Sequence, residues 1–284
     1  MELIRGAAAL RAFADELRAG GASVGLVTTM GALHEGHRSL LRRARAEHAR
    51  LIATIFVNPL QFTEAGDLTR YPRDERRDVA IMEREGVDAC WAPPVEEVYP
   101  PGTTLTEPDP GDVGDLFEGV ARPGHFAGVL KVVHRLFDVV GPATAYFGEK
   151  DAQQLFLVRQ MVNQLDLLIE VIGCATVRDT DGVALSSRNA VLSLDEREQA
   201  GCLFLALGEA ATLARSGAHD ARELVAVMAR EVGATPLARL DYAAVVDEAT
   251  FRPVDTLDRP ARALVAARFP SARLIDNISL PIPV

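Results

Sequence analysis

Residues 24–37 read Val-Gly-Leu-Val-Thr-Thr-Met-Gly-Ala-Leu-His-Glu-Gly-His, and the following residues place Leu40, Leu41 and Ala44 at helical spacing. A short apolar run, a turn containing Gly31 and Gly36, and an amphipathic segment predict strand, glycine turn and helix in that order. The glycines allow backbone to approach a ligand closely, and the helix start offers N–H groups and the positive end of a dipole. His34 and His37 lie three apart, so both imidazoles share a face if the segment is helical. Two short donors above an anion-binding helix start suit a polyphosphate. A pair of capping or core histidines is the plain alternative. Zinc is a third, although no third ligand of suitable type lies nearby in the chain.

The same alternation continues on both sides of this stretch. Ala7, Leu10, Phe13 and Leu17 recur at helical spacing before Gly20-Gly21, and Leu51–Val57 is an apolar, largely β-branched run expected of a strand buried on both faces. A helix over Asp74–Glu85 and a strand over Val87–Trp91 follow, stopped by Pro93-Pro94. Residues 100–124 are rich in Pro, Gly and Asp and read as a long loop or lid. Helix 126–140, strand 143–147, helix 151–164 and strand 168–172 complete the pattern. Strands alternating with helices predict an α/β fold, a Rossmann-like doubly wound parallel sheet with ligands outside the carboxyl ends of its strands. From about residue 177 the texture changes to Ala-rich helices (195–216 and 220–232) and three strand-like runs (240–246, 263–268 and 273–278). The expectation is a nucleotide- and substrate-binding domain over 1–176, and a smaller C-terminal α+β domain over 177–284 that forms a flap over the nucleotide.

Composition narrows the function classes. The 284 residues are 48% hydrophobic and 25% charged, the balance of a globular enzyme. Forty acidic against 30 basic residues give a formal charge of −10, which argues against a bulk nucleic-acid binder but leaves room for one nucleotide. Cys90, Cys174 and Cys202 are far apart in apolar surroundings, so buried thiols in a reducing compartment are expected rather than disulfides or a metal cluster. The opening Met-Glu-Leu-Ile-Arg has no basic leader followed by an apolar core, and no apolar run nears the ~20 residues needed to span a bilayer. A cytoplasmic location is expected.

Four further clusters carry polar chemistry. Asn58 and Gln61 follow the strongest strand, where amides suit hydroxyl or carboxylate recognition, although Asn-Pro is also an ordinary turn signal. Gly148-Glu149-Lys150-Asp151 repeats the order strand, glycine, charged turn, helix, with Gln154 one turn on. Lys150 is a compact cation suited to a phosphorus gaining negative charge during in-line attack. Asp151 also fits a helix cap. Asp181-Gly182 signals a tight turn, and Leu185-Ser186-Ser187-Arg188-Asn189 sets two hydroxyls beside a guanidinium, a grip for phosphates or a capped surface turn. Arg122 and His125 end the long loop, where they either touch substrate or cap a helix. Structural roles are expected for His48, His134 and His219. No serine or cysteine nucleophile stands beside a base, so no acyl-enzyme is required.

Together, Met30–His37, Phe56–Phe62, Tyr71-Pro72-Arg73, Arg122–Phe126, Tyr146–Gln154 and Ser186–Asn189 resemble the pantothenate synthetase (pantoate–β-alanine ligase) family. That family lies within the His-x-Gly-His nucleotidyltransferase superfamily. The similarity runs from Gly25 to about Ser193 and returns at Tyr242–Asp247 and Arg273–Asn277. It implies ATP-dependent condensation of (R)-pantoate with β-alanine through a pantoyl adenylate, releasing AMP and pyrophosphate. Magnesium would arrive bound to the ATP phosphates, no metal would be held by the protein itself, and the protein would be a homodimer.

By resemblance, Met30, Gly31, Ala32, Leu33, His34, Glu35, Gly36 and His37 contact ATP, with the two histidines on phosphate and His37 the commonly assigned proton donor. Gly148, Glu149, Lys150 and Asp151 line the nucleotide, with Lys150 on the α-phosphate. Val177, Leu185, Ser186, Ser187 and Arg188 complete the ATP site. Gln61 and Gln154 grip pantoate, and Asn58, Tyr71, Arg122 and His125 surround the second substrate. The assigned catalytic set is thus His34, His37, Lys150 and Arg188. The chain departs from the family pattern at Thr28, where proline is expected, and at Leu185, where methionine is usual. Neither removes a charge. The rival readings are another nucleotidyltransferase of the same fold and a non-catalytic ATP-binding module.

Overall fold

A computed structural model describes residues 1–62 and 66–282. The chain divides into two compact units. The first comprises 1–149 and 153–175; the second comprises 150–152 and the chain from Thr176 onward.

The first unit is built on six parallel strands, β1 (Glu2–Ile4), β2 (Val24–Thr29), β3 (Arg50–Ile55), β4 (Ala89–Trp91), β5 (Ala143–Gly148) and β6 (Ile169–Cys174), in the order β1-β4-β3-β2-β5-β6. Parallel strands need helical crossovers, and helices Ala7–Ala19, Glu35–Glu47, Glu75–Arg84, His125–Val140 and Ala152–Gln164 supply them. The doubly wound reading holds. Val27, Leu33, Leu41, Leu51, Ala53, Met82 and Cys90 share one of its cores. β1 was not legible from the sequence: three residues at the sheet edge, one of them glutamate, are too few to show a period.

The strand order reverses between β2 and β5. Their ladder runs through Gly25–Thr144 and Leu26–Ala145 and stops short of both carboxyl ends. A crevice at such a reversal is where open parallel sheets receive ligands. The turn Met30–His34 leaves β2 here, and Glu149 follows β5.

The loop expected over 100–124 contains a 3-10 segment (Asp112–Asp115) and one helical turn (Glu118–Ala121). Gln153, buried, pins it: its Oε1 accepts from Glu118 N (3.1 Å) and its Nε2 donates to Val113 O (2.7 Å) and Leu116 O (2.9 Å).

The second unit packs helices Cys202–Arg215 and Ala221–Gly233 on one face of an antiparallel sheet, β7 (Arg239–Asp247), β8 (Ala261–Arg268) and β9 (Arg273–Leu280). Ala206, Leu207, Ala210, Leu224, Met228, Val245, Ala263 and Val265 form its core. The single helix expected over 195–216 is two, Leu194–Gln199 and Cys202–Arg215, separated at Ala200-Gly201. The first begins with a capping box: Ser193 Oγ accepts from Glu196 N, and Glu196 Oε2 accepts from Ser193 N at 2.7 Å. Glu196 also accepts from Ser271 N (2.6 Å) and Ser271 Oγ (2.8 Å).

The Ser193 N–H, then the Ser271 N–H and hydroxyl, hold the Glu196 carboxyl at about 2, below its ordinary 4.5. A depressed folded-state value means that this contribution to stability is complete above the ordinary value and is lost as pH falls toward the folded one. The difference in urea midpoint between wild type and Glu196→Gln is therefore expected to be largest near neutrality and to shrink between pH 4.5 and about 2. A gap that is constant across that range overturns the assignment.

Candidate active site

The turn after β2 is held from three sides. Thr29 Oγ1 donates to Thr54 O (2.6 Å) and accepts from Gly31 N (3.1 Å). Gly31 and Ala32 follow with φ of +79° and +52°, a left-handed pair in which only the first residue is a glycine. Such a non-glycine residue costs roughly 1–2 kcal/mol and persists where the surroundings impose it. The imposing group is Asp78, whose Oδ2 and Oδ1 accept from Ala32 N and Leu33 N, each at 2.8 Å.

His34 is the N-cap of helix Glu35–Glu47 and His37 lies in its first turn. Nδ1 of His34 accepts from Gly36 N (3.2 Å), while Nδ1 of His37 accepts from His34 N (3.3 Å), forming a reciprocal cap. The capping alternative is thus real, and it leaves the phosphate reading intact. A neutral ring that accepts through Nδ1 carries its proton on Nε2, so the one N–H donor of each imidazole is not the atom used in the cap. The rings stand 4.1 Å apart, tilted by 42°. Glu35 pairs with Arg42 and Arg38 on the helix surface.

Gln61 is the hub of the other half of this unit's site. Asn58 caps the 3-10 turn Pro59–Gln61, accepting from Leu60 N (3.2 Å). Its Nδ2 donates to Gln61 Oε1 (3.1 Å) and Gly128 O (3.0 Å), and its Oδ1 also accepts from Tyr99 OH (2.8 Å). Burial pushes the Tyr99 phenol up, which keeps it a donor. Asn58, 1% exposed, is thereby spent within the fold and acts on the site through Gln61. The main-chain oxygen of Gln61 accepts from Arg122 Nη2 (3.0 Å) and His125 Nδ1 (2.9 Å), and Arg122 Nη1 meets His125 Nε2 at 2.9 Å. His125 is buried as the first residue of its helix. Both residues therefore grip Gln61 directly. Gln61 Nε2 in turn points to Met30 Sδ (3.0 Å), joining this cluster to the glycine turn. Tyr71 packs edge-on against Phe62. Gln154 is half-buried in the first turn of helix Ala152–Gln164.

Helix His125–Val140 can lie this close to the turn because residue 128 is glycine. A Cβ there would stand 2.3 Å from Leu60 O. Gly128→Ala is expected to cost about 1–3 kcal/mol through overpacking and to lower activity further by displacing Gln61. Urea denaturation and steady-state rates check this. An unchanged midpoint contradicts it.

Lys150, Asp151, Val177 and Leu185–Arg188 belong to the second unit, while Gly148 and Glu149 stay in the first. Lys150, 18% exposed in its side chain, has Nζ 3.3 Å from Asp151 Oδ1. Its main-chain oxygen accepts from Nδ2 of Asn277 (2.8 Å), a buried β9 residue whose Oδ1 accepts from Arg262 Nη1 (2.6 Å). The tight turn at Asp181-Gly182 folds as expected, with Gly182 at φ +86° and Leu185 N donating to Val177 O (2.9 Å). Ser186 caps the 3-10 segment Ser187–Val191, accepting from Arg188 N (3.3 Å). Lys150, Ser186, Asn189 and Asp276 line one small cavity. Arg178 belongs to the frame: it pairs in a fork with Asp276 at 2.5 and 2.9 Å and lies over the Phe204 ring.

A family model described as pantoate-beta-alanine ligase matches residues 2–279. The chain is 50% identical to the pantothenate synthetase of Rubrobacter xylanophilus, over 98% of each chain. The solved pantothenate synthetase of Thermus thermophilus is 45% identical, with a TM-score of 0.92 over 99% of this chain and all of that one. The chain belongs to the pantoate–β-alanine ligase family. A more distant member from Francisella tularensis, described as complexed with beta-gamma ATP and beta-alanine, is 31% identical with a TM-score of 0.78 over 98% of this chain and 97% of that one.

Several groups that hold the site of this ligase-family chain were not singled out from its sequence. Asp78 reads there as one of several charges on a surface helix, Tyr99 and Gly128 sit in unremarked contexts, and Asn277 falls in a stretch of family similarity without a role of its own. Their importance lies in contacts between segments far apart in the chain. The histidines expected to be structural are engaged elsewhere: His48 Nε2 meets Tyr146 OH (2.8 Å), and His219 Nδ1 donates to Leu257 O (3.1 Å). His134 is partly buried, which lowers its pKa. All three cysteines are free and buried, and burial raises each thiol, Cys90 to about 12. Among the described residues, no helix is long and apolar enough to cross a membrane, and no three His, Cys, Asp or Glu side chains gather as a metal-ligating group.

Proposed function

We propose that this chain joins (R)-pantoate to β-alanine in two steps driven by ATP. A pantoate carboxylate oxygen attacks the α-phosphorus, the bond to the bridging oxygen breaks, and pyrophosphate leaves. The β-alanine nitrogen then attacks the acyl carbon of the pantoyl adenylate, AMP departs, and the amine loses a proton. A carboxylate is a poor acyl donor, and adenylation turns its oxygen into part of a leaving group.

The observation that carries this reading is the Met30–His37 turn at the carboxyl end of β2, beside the reversal of strand order, in a member of this family. The Nε2–H donors of His34 and His37 suit phosphate oxygens. Gln61 and Gln154 are assigned to pantoate, with Gln61 also near β-alanine. Gly148–Asp151 are assigned to the nucleotide, with Lys150 on the α-phosphate, and Val177 and Leu185–Arg188 to the remainder of ATP. Magnesium enters with the ATP phosphates. The chemistry then asks mainly for positioning, charge stabilisation and exclusion of water from the adenylate. We further assign a homodimer by family resemblance, a cytoplasmic location, and a flap role for 177–190 from its place at the expected domain boundary.

The test omits β-alanine. Labelled pyrophosphate should exchange into ATP only when pantoate and magnesium are present, and adding β-alanine should release AMP and pantothenate. No pantoate-dependent exchange and no AMP overturn the proposal. A nucleotide-linked final product would assign the chain to another nucleotidyltransferase reaction, and ATP binding without turnover to a silent module.

A further inference from the structure

Asp78 is a carboxylate 1% exposed, in the first turn of helix Glu75–Arg84. Burying a charge is costly unless hydrogen bonds or a partner charge compensate it. Among the described residues no lysine or arginine pairs with it. Its oxygens are instead taken by the main-chain N–H groups of Ala32 and Leu33, more than 40 residues earlier in the chain, and it stands at the positive end of its own helix. A carboxylate is the one side-chain group of this size with two acceptor oxygens and no hydrogen to oppose either N–H.

The approach is close enough to dictate the residue opposite. A Cβ on Gly31 would lie 2.8 Å from Asp78 Oδ2 and 3.3 Å from Ile55 Cγ2, and Gly31 has a φ of +79°. Ala32, also left-handed, cannot relax without leaving the carboxylate. The chain reaches His34, the N-cap, two residues later.

We propose that Asp78 is the positioning residue of the nucleotide turn: by tying down the amides of Ala32 and Leu33 it fixes where His34, Gly36 and His37 present their donors to the phosphates of ATP. This rests on the adenylation reading above. Asp78 touches neither substrate nor metal in this role. It acts through the backbone, and its loss strikes the half-reaction that uses the triphosphate more than the one that does not.

Asp78→Asn keeps the shape but sets an NH2 group against a main-chain N–H. The two half-reactions are measured separately: pantoate-dependent pyrophosphate exchange, and pantothenate formation from synthetic pantoyl adenylate and β-alanine. The variant is expected to raise the KM for ATP at least tenfold in the first, while the second stays within about threefold of wild type. Equal losses in both, or an ATP KM within twofold of wild type, overturn the proposal. If the variant does not fold, amide hydrogen exchange on the ligand-free wild-type protein decides. Protected Ala32 and Leu33 amides support the tie, and exchange at open-loop rates overturns it. Failure of wild-type protein to catalyse pantoate-dependent exchange would remove the adenylation reading itself, a result distinct from either outcome for Asp78.

Discussion

Lys150→Ala is expected to slow adenylate formation by about 10²–10³-fold, the loss of about 2.7–4 kcal/mol typical of removing one preorganised electrostatic contact, while ATP affinity changes less than threefold. The separation follows from how the residue is held. Its backbone is fixed by Asn277, which grips the carbonyl oxygen and is indifferent to the side chain. Among the described residues the ammonium has only a 3.3 Å approach to Asp151, so truncation leaves no strongly paired partner stranded there. What disappears is a cation assigned to charge that grows only as pantoate attacks, and a contact made in the transition state alone lowers the rate without weakening ground-state binding. Single-turnover adenylate formation beside calorimetric ATP binding reads both quantities. Lys150→Arg is not expected to restore the rate, since a planar fork replaces a compact point charge. A wild-type adenylation rate in the alanine variant removes Lys150 from the chemistry.

His37→Ala carries the second large effect and has two separable parts. Nδ1 accepts the His34 N–H, so truncation opens half of the cap on helix Glu35–Glu47 and is expected to cost about 0.5–2 kcal/mol of stability. Nε2–H is assigned to phosphate, and its loss is expected to lower kcat/KM for ATP by a further ~10²-fold, as for other charge-stabilising donors. Thermal denaturation measures the first part. Pyrophosphate exchange, at a temperature where the variant is fully folded, measures the second. A fall in exchange no larger than the fall in folded fraction would reduce His37 to a cap.

The sheet was legible because its signals are local. Leu51–Val57 is a strand by composition, Gly31 punctuates a turn (Gly36, also read as part of it, falls in the first turn of the helix), and the apolar spacing of Leu40, Leu41 and Ala44 is that of a helix. The α/β alternation needs nothing longer in range. Failures came where range or length defeated pattern: the edge strand β1, and the break at Ala200-Gly201, where alanine-rich sequence on both sides hides the interruption.

The site divides along the same line. His34, His37, Gln61 and Lys150 are conspicuous because they sit beside turn residues in polar clusters. Asp78 is not, because one acidic residue among Glu75, Asp74 and Glu83 looks like any solvated charge until the fold buries it. For Asn58, Arg122 and His125 the sequence left a substrate contact open beside a turn or helix cap; in the structure each contacts Gln61, and Asn58 also caps the turn that carries it.

The tie between Asn277 and the Lys150 carbonyl also bears on modularity. Residues 150–152 belong to the second unit while their neighbours on both sides belong to the first, so the polypeptide crosses between units three times. A single cut near residue 176 would leave the lysine on one fragment and the asparagine that seats it on the other. Chimaeras exchanged at that junction would inherit a mismatched seat unless the three-residue insert travelled with its sheet. In this architecture the unit of exchange is discontinuous in sequence, and a shuffling crossover that looks harmless in a linear map parts Lys150 from the asparagine that holds its carbonyl.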